Sequence, residues 1–183
     1  MLPLYVVNNF GQFNHLILRA LRDLDIDAKL VPNDTPAEEV KTGCRGVILG
    51  GGPDISRAGS SRLYLHLEKP VLGICLGLHV IAQEFGGKVE SGKKGGYGAV
   101  EITVLEQDAV LSGYPDVMQV WASHADEVVS LPEGFSRLAT SSICTNEAIS
   151  HHKLPIFGIQ WHPEVSHTFE GYRIFENFNR ICQ

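Results

Sequence analysis

The chain has 183 residues, 44% of them hydrophobic and 20% charged, with a formal net charge of −6. This is the composition of a soluble globular protein with a sizeable core, and its acidic balance excludes nucleic acid as the main partner, because neutralising phosphates needs a basic face. No apolar run is long enough to span a bilayer and no basic–apolar–small leader pattern opens the sequence, so a cytoplasmic protein without membrane contact is expected.

In chain order, the first half alternates short apolar runs with helical periodicity. Leu4–Val7 reads as a buried strand, and Gln12–Leu24 carries Phe13, Leu16, Ile17, Ala20, Leu21 and Leu24 at helical spacing. Ala28–Val31 and Gly46–Leu49 follow as strands, Pro70–Ile74 is a fourth, and Leu76–Phe85 is a helix stopped by Gly86-Gly87. Such alternation predicts an α/β fold with a mostly parallel central sheet covered by helices on both faces. Ligands then sit at the carboxyl ends of the strands.

The second half predicts a small antiparallel sheet. Ala99–Leu105, Val117–Trp121, Glu127–Leu131, Arg137–Ser141 and Glu147–Ser150 are short strands separated by turn residues. Ile156–Gln160 is another apolar strand, and Phe169–Ile181 closes the fold as a helix with Tyr172, Phe175, Phe178 and Ile181 as its apolar stripe. No repeat, low-complexity tract or linker interrupts the pattern. A single domain over residues 1–183 is expected.

Chemistry concentrates at Gly73-Ile74-Cys75-Leu76-Gly77, directly after the apolar run Pro70-Val71-Leu72. A cysteine with glycines at i−2 and i+2, at a strand-to-helix junction, describes a nucleophile elbow, because the turn is too sharp for side chains beside the nucleophile. The following helix aims its free N–H groups at the sulfur and favours thiolate. A thiolate needs a base, and the base needs an orienting group. His162 and Glu164 fit those roles, since residues two apart in an extended segment project to one side and Pro163 favours an extended His162.

Gly50-Gly51-Gly52-Pro53-Asp54 leaves three readings open. It lacks the Lys-Ser/Thr of a Walker A loop and the spacing of a dinucleotide site. It could be a plain tight turn, or one of its N–H groups could face Cys75 and form an oxyanion hole with the Leu76 N–H. The four cysteines, Cys44, Cys75, Cys144 and Cys182, lack Cys-x-x-Cys spacing, so neither a metal site nor a disulfide framework is expected. Cys44, Cys144 and Cys182 read as small hydrophobes.

Gly50-Gly51-Gly52-Pro53, Gly73-Ile74-Cys75-Leu76-Gly77, Ser123-His124-Ala125-Asp126 and Gly158-Ile159-Gln160-Trp161-His162-Pro163-Glu164 stand in the order found in class I (triad) glutamine amidotransferases. The chain resembles that family over nearly its whole length. The resemblance implies a flavodoxin-like fold and a reaction in which Cys75 attacks the side-chain amide of L-glutamine. The oxyanion would rest on the Gly52 and Leu76 N–H groups, with His162 as general acid and base and Glu164 orienting it. His79 stands where the family usually has glutamine, and Tyr97-Gly98 matches an aromatic–glycine pair lining the substrate pocket. His79, Tyr97, Gly98, Ser123 and His124 are accordingly candidate glutamine contacts. Asp126 and His167 are candidate partner contacts, with a solvated loop for Asp126 and hydrogen-bonded structure for His124 and His167 as the competing readings.

Within the family, Ser123-His124-Ala125-Asp126 and His162 to Thr168 look most like the amidotransferase part of GMP synthetases, here expected as a stand-alone glutaminase subunit. That implies a partner, an ATP-pyrophosphatase synthetase subunit. The nucleotides ATP and XMP, with Mg2+, would bind the partner, no cofactor would bind this chain, and ammonia would pass between them. Alternatives are the glutaminase subunit of another synthetase such as anthranilate synthase, a hydrolase or chaperone-like protein sharing the cysteine elbow, or a catalytically silent subunit.

Overall fold

Leu4–Asn8 (β1), Ala28–Pro32 (β2), Gly46–Leu49 (β3), Val71–Ile74 (β4) and Ile156–Ile159 (β9) form the parallel part of the sheet. The structure is a computed structural model and describes residues 1–107 and 109–183. Alternate residues of these strands face opposite ways. Leu4, Val6, Ile48 and Leu72 pack on one face with Ile17 and Leu21 of α1 (Asn14–Asp23) and with Ile174, Phe175 and Phe178 of α5 (Tyr172–Ile181). Tyr5, Val7, Val47, Leu49 and Val71 pack on the other, against Val40 of α2 (Ala37–Gly43), Tyr64 of α3 (Ser61–Tyr64) and Leu78 and Ile81 of α4 (Leu76–Glu84). Every residue of α4 from Leu76 to Ala82 is buried, so this helix is apolar all round.

Two differences from the sequence reading concern the second half. The antiparallel strands are not a separate sheet. They continue the parallel one, giving nine strands in the order β2-β1-β3-β4-β9-β8-β7-β5-β6, with β7 Phe135–Ser141 and β8 Ala148–His151. The expected Val117–Trp121 and Glu127–Leu131 are one strand, β6 (Val117–Ser130), paired with β5 (Lys88–Val104). The Gly- and Lys-rich stretch from Ser91 to Gly98 has poor strand propensity, and its pairing with β6 overrides that. A register shift between Ser91 and Gly96 marks the irregularity this leaves.

α5 starts at Tyr172 rather than Phe169, and Tyr172 is exposed; the buried stripe runs through Ile174, Phe175 and Phe178, with Ile181 half-buried. Among the described residues no helix is long and apolar enough to cross a membrane.

The carboxyl ends of β1, β3, β4 and β9 lie side by side, with Leu49 abreast of Gly73 and Ile74 abreast of Ile159. Asn9, Gly50, Cys75 and Gln160 therefore emerge together at one edge. The β5–β6 hairpin curls back over that edge, where the Trp121 carbonyl accepts from the His162 N–H at 2.9 Å.

Candidate active site

Cys75 sits between β4 and α4 with φ +54° and ψ −106°, a conformation that costs an L residue about 1–3 kcal/mol. The turn is held by the Cys75 N–H donating to the Ile159 carbonyl at 2.8 Å. Its glycines are required by contact. A Cβ on Gly73 would lie 2.5 Å from the Gly77 carbonyl, and one on Gly77 would collide with the Leu49 carbonyl. The sulfur ends up at the N-terminus of α4, where the helix dipole favours negative charge.

His162 Nδ1 lies 2.6 Å from Glu164 Oε1, with both side chains almost wholly buried. The pair meets across a turn, not along an extended segment as the spacing suggested. The Val165 N–H reaches the His162 carbonyl at 3.4 Å, and the Thr168 hydroxyl donates to the same carbonyl at 2.6 Å. A Cβ on Gly171 would overlap the Pro163 carbonyl, so the start of α5 clamps this turn from behind. Phe13 presents its ring to the imidazole at 5.0 Å between centroids, near perpendicular. Burial alone would lower the His162 pKa. Hydrogen bonds with Cys75 and Glu164, and the charge of both, reverse that and push it up to about 10. The imidazole is therefore poised to be charged between a sulfur and a carboxylate.

The glycine loop lies opposite. Asn9 Nδ2 donates to the Gly50 carbonyl at 3.1 Å and Asn14 Nδ2 to the Gly51 carbonyl at 3.0 Å. Gly11 packs so closely on the Gly51–Gly52 peptide that a Cβ there would lie 2.5 Å from the Gly51 oxygen. Gly51 itself borders both His162 and Cys75.

These segments enclose a cleft of about 420 Å³, within the range of small-molecule sites. Gly52, Cys75, Leu76, His79, Tyr97, Ser123, His124, Asp126 and His162 all line it. Gly98 does not, and Glu164 lies behind His162. His167 is also outside the cleft, its ring 4.7 Å from that of Trp121. His124 Nδ1 faces the Asp126 carbonyl at 2.9 Å and so carries a proton there. Burial, above all, lowers its pKa to about 4, the Asp126 hydrogen bond opposing and the nearby His79 and His162 reinforcing, which leaves a neutral ring. Tyr97 is 72% exposed at the rim.

Asn14, Phe13 and Gln160 also belong to the site. The sequence offered a signal only for Gln160, a lone polar residue ending an otherwise apolar strand. Asn14 read as an ordinary helix-opening residue and Phe13 as core. Among the described residues, no group of three or more His, Cys, Asp or Glu is arranged to hold a metal ion.

The model of the class-I glutamine amidotransferase family matches residues 5–182. The A subunit of a glutamine-hydrolysing GMP synthase from Methanospirillum hungatei is 78% identical over 182 residues, covering 100% of this chain and 97% of that protein. Its counterpart of the same name from Archaeoglobus fulgidus is 49% identical over 183 residues, covering all of both chains. The crystal structure of a Thermoplasma acidophilum protein, provisionally assigned as the A subunit of a GMP synthase, superposes with a TM-score of 0.94 at 39% identity, covering 100% of this chain and 94% of that one.

Proposed function

The chain belongs to the class-I glutamine amidotransferases, and from that premise we propose that it is the glutaminase subunit of a two-subunit GMP synthetase. The observation that carries the reading is the placement of His162 between Cys75 and Glu164 at the mouth of a strained elbow.

The Cys75 thiolate attacks Cδ of the glutamine side chain, and the carbonyl oxygen takes the negative charge against the Gly52 and Leu76 N–H groups. As the tetrahedral intermediate collapses the C–N bond breaks, and His162 gives its proton to the departing nitrogen. Ammonia leaves and a γ-glutamyl thioester remains. His162 then takes a proton from water as it attacks the thioester, and glutamate departs with Cys75 restored. Glu164 holds the imidazole by Nδ1 and stabilises its charged form. His79, Tyr97, Ser123 and His124 line the space where the amino-acid end of glutamine would lie.

Ammonia that escapes is protonated at neutral pH and loses its nucleophilicity, so it has to reach its acceptor under cover. The names of the relatives support, as that partner, an ATP-pyrophosphatase synthetase subunit holding ATP, Mg2+ and XMP. Asp126 at the cleft and His167 beside it would lie near the docking face. A cytoplasmic setting agrees with a thiolate nucleophile.

The test is reconstitution. The purified chain, combined with the synthetase subunit of a two-subunit GMP synthetase, ATP, Mg2+ and XMP, should form GMP and glutamate from glutamine in equal amounts. Failure to form GMP with glutamine, where ammonia succeeds, would overturn the assignment.

A further inference from the structure

Gln160 is completely buried at the end of β9, yet both ends of its amide are engaged. Its Oε1 lies 2.8 Å from His79 Nε2, and its Nε2 donates to Cys75 Sγ at 3.7 Å. The backbone fixes all three positions. The β4–β9 register sets residues 75 and 160 abreast, the Gln160 N–H donates to the Glu147 carbonyl at 2.8 Å, and His79 follows Cys75 by one helical turn, its N–H donating to the Cys75 carbonyl at 3.3 Å.

The chain of bonds has one consistent direction. An amide oxygen only accepts, so His79 Nε2 must carry the proton. With the oxygen facing His79, the Gln160 NH2 is turned toward the sulfur. On another side Cys75 meets the Ser123 carbonyl at 3.8 Å, an acceptor that suits the thiol and opposes the thiolate. Burial, partly opposed by the Gln160 hydrogen bond and the Asp126 charge, lowers the His79 pKa, so the ring stays neutral. A hydrogen bond donated to the charged form of a group favours that form.

We propose that Gln160 is a further catalytic residue, donating a second hydrogen bond to the Cys75 thiolate beside that of His162, with His79 as the positioning residue that holds the Gln160 amide in its donating orientation. The inference rests on Cys75 being the nucleophile. It gives His79 a role other than touching glutamine, because the His79 Nε2 proton is committed to Gln160.

The titratable and charged groups around the sulfur are His162 and Glu164 from the segment after β9, His79 from α4, and His124 and Asp126 from β6. The test changes only the relay. The rate of Cys75 alkylation by iodoacetamide, read on the Cys75 peptide by mass spectrometry, is measured against pH in the full-length chain. In Gln160→Met, Gln160→Glu and His79→Leu the midpoint should move up by roughly one pH unit, about tenfold less thiolate at neutral pH. His79→Gln, whose amide can still donate to Gln160, should restore the wild-type midpoint. A wild-type midpoint in folded Gln160→Glu and His79→Leu proteins would overturn the relay while leaving the glutaminase reading intact. A wild-type chain that releases no glutamate beside its partner would remove the nucleophile assignment, and the relay with it.

Discussion

Asn14 donates from Nδ2 to the Gly51 carbonyl at 3.0 Å, so the first turn of α1 sets the orientation of a peptide whose other end is the Gly52 N–H. Carbonyl and N–H of a trans peptide point in opposite directions. Fixing one therefore aims the other. Asn14→Ala should lower glutamine-dependent turnover by more than about tenfold, up to the roughly 10²–10³-fold that follows loss of an oxyanion donor. Ammonia-dependent synthesis by the complex should not change. Steady-state rates with glutamine and with ammonium salts check both halves.

At Cys75, alanine or serine should abolish glutamine-dependent synthesis and leave the ammonia-dependent reaction intact, because ammonia is the shared intermediate. The elbow adds a thermodynamic signature. With φ at +54°, Cys75→Gly should be more stable than Cys75→Ala by about 1 kcal/mol, since glycine adopts that conformation without a Cβ penalty. Thermal unfolding of the two inactive variants measures the difference. Equal stabilities would show that the elbow stores no strain.

His162 and Glu164 should differ in severity. His162→Ala should remove nearly all turnover and slow labelling of Cys75 by thiol-alkylating glutamine analogues, while Glu164→Gln should be milder. The pair also carries a pH signature. The folded-state His162 pKa is raised to about 10 from an ordinary 6.5. Its charged form therefore adds stability that is fully present below about pH 6.5 and is lost as the pH rises through 10. The stability gap between wild type and Glu164→Gln should accordingly be widest near pH 6 and shrink toward pH 10, as thermal melts across that range would show.

The parallel half of the fold was legible because its strands are continuous apolar runs buried on both faces, broken by glycines at their carboxyl ends. Cys75 and His162 were legible for the same reason, each lying just past such a run. What stayed hidden depended on partners distant in sequence. The strand from Lys88 to Gly98 exists through pairing with β6, so its own residues carry no strand signal. The Asn14–Gly51 bond spans thirty-seven positions and the Gln160–Cys75 bond eighty-five, and nothing local announces either. Glu164 was identified correctly on a mistaken geometry, since its contact with His162 closes across a turn.

Glu147 offers a test of the core away from the chemistry. It is fully buried, accepts from the Ser141 hydroxyl at 2.7 Å through Oε1, and its Oε2 has no partner among the described residues. Burial first, with the charge of Glu127 adding and the Ser141 bond opposing, pushes its pKa up to about 7 from 4.5. A raised carboxyl contributes stability that is complete below about pH 4.5 and is lost as the pH climbs through 7. Glu147→Gln should flatten that slope and be more stable than wild type relative to its own value at pH 4.5. Parallel denaturation curves for the two proteins from pH 4.5 to 8 would refute it.

The isolated subunit should be a poor glutaminase that its nucleotide-loaded partner switches on. Uncoupled hydrolysis would consume glutamine and release ammonia with no acceptor, so a site completed on docking links the two reactions. The fold offers a route for that coupling. Phe10 is 53% exposed at the cleft rim with φ +67° and carries the Arg57 guanidinium 4.7 Å from its ring centroid. The next residue, Gly11, packs directly on the Gly51–Gly52 peptide. Pressure on Phe10 from a docked surface is thus transmitted to the group that receives the oxyanion, and binding energy can shift the loop toward its competent form. Glutamate release should rise by at least about tenfold when the synthetase partner, ATP and XMP are added, equivalent to about 1.4 kcal/mol of barrier. Phe10→Ala should weaken that activation while leaving the low basal rate in place. Full-rate glutaminase in the isolated chain would eliminate gating without touching the assignment of Cys75, His162 and Glu164.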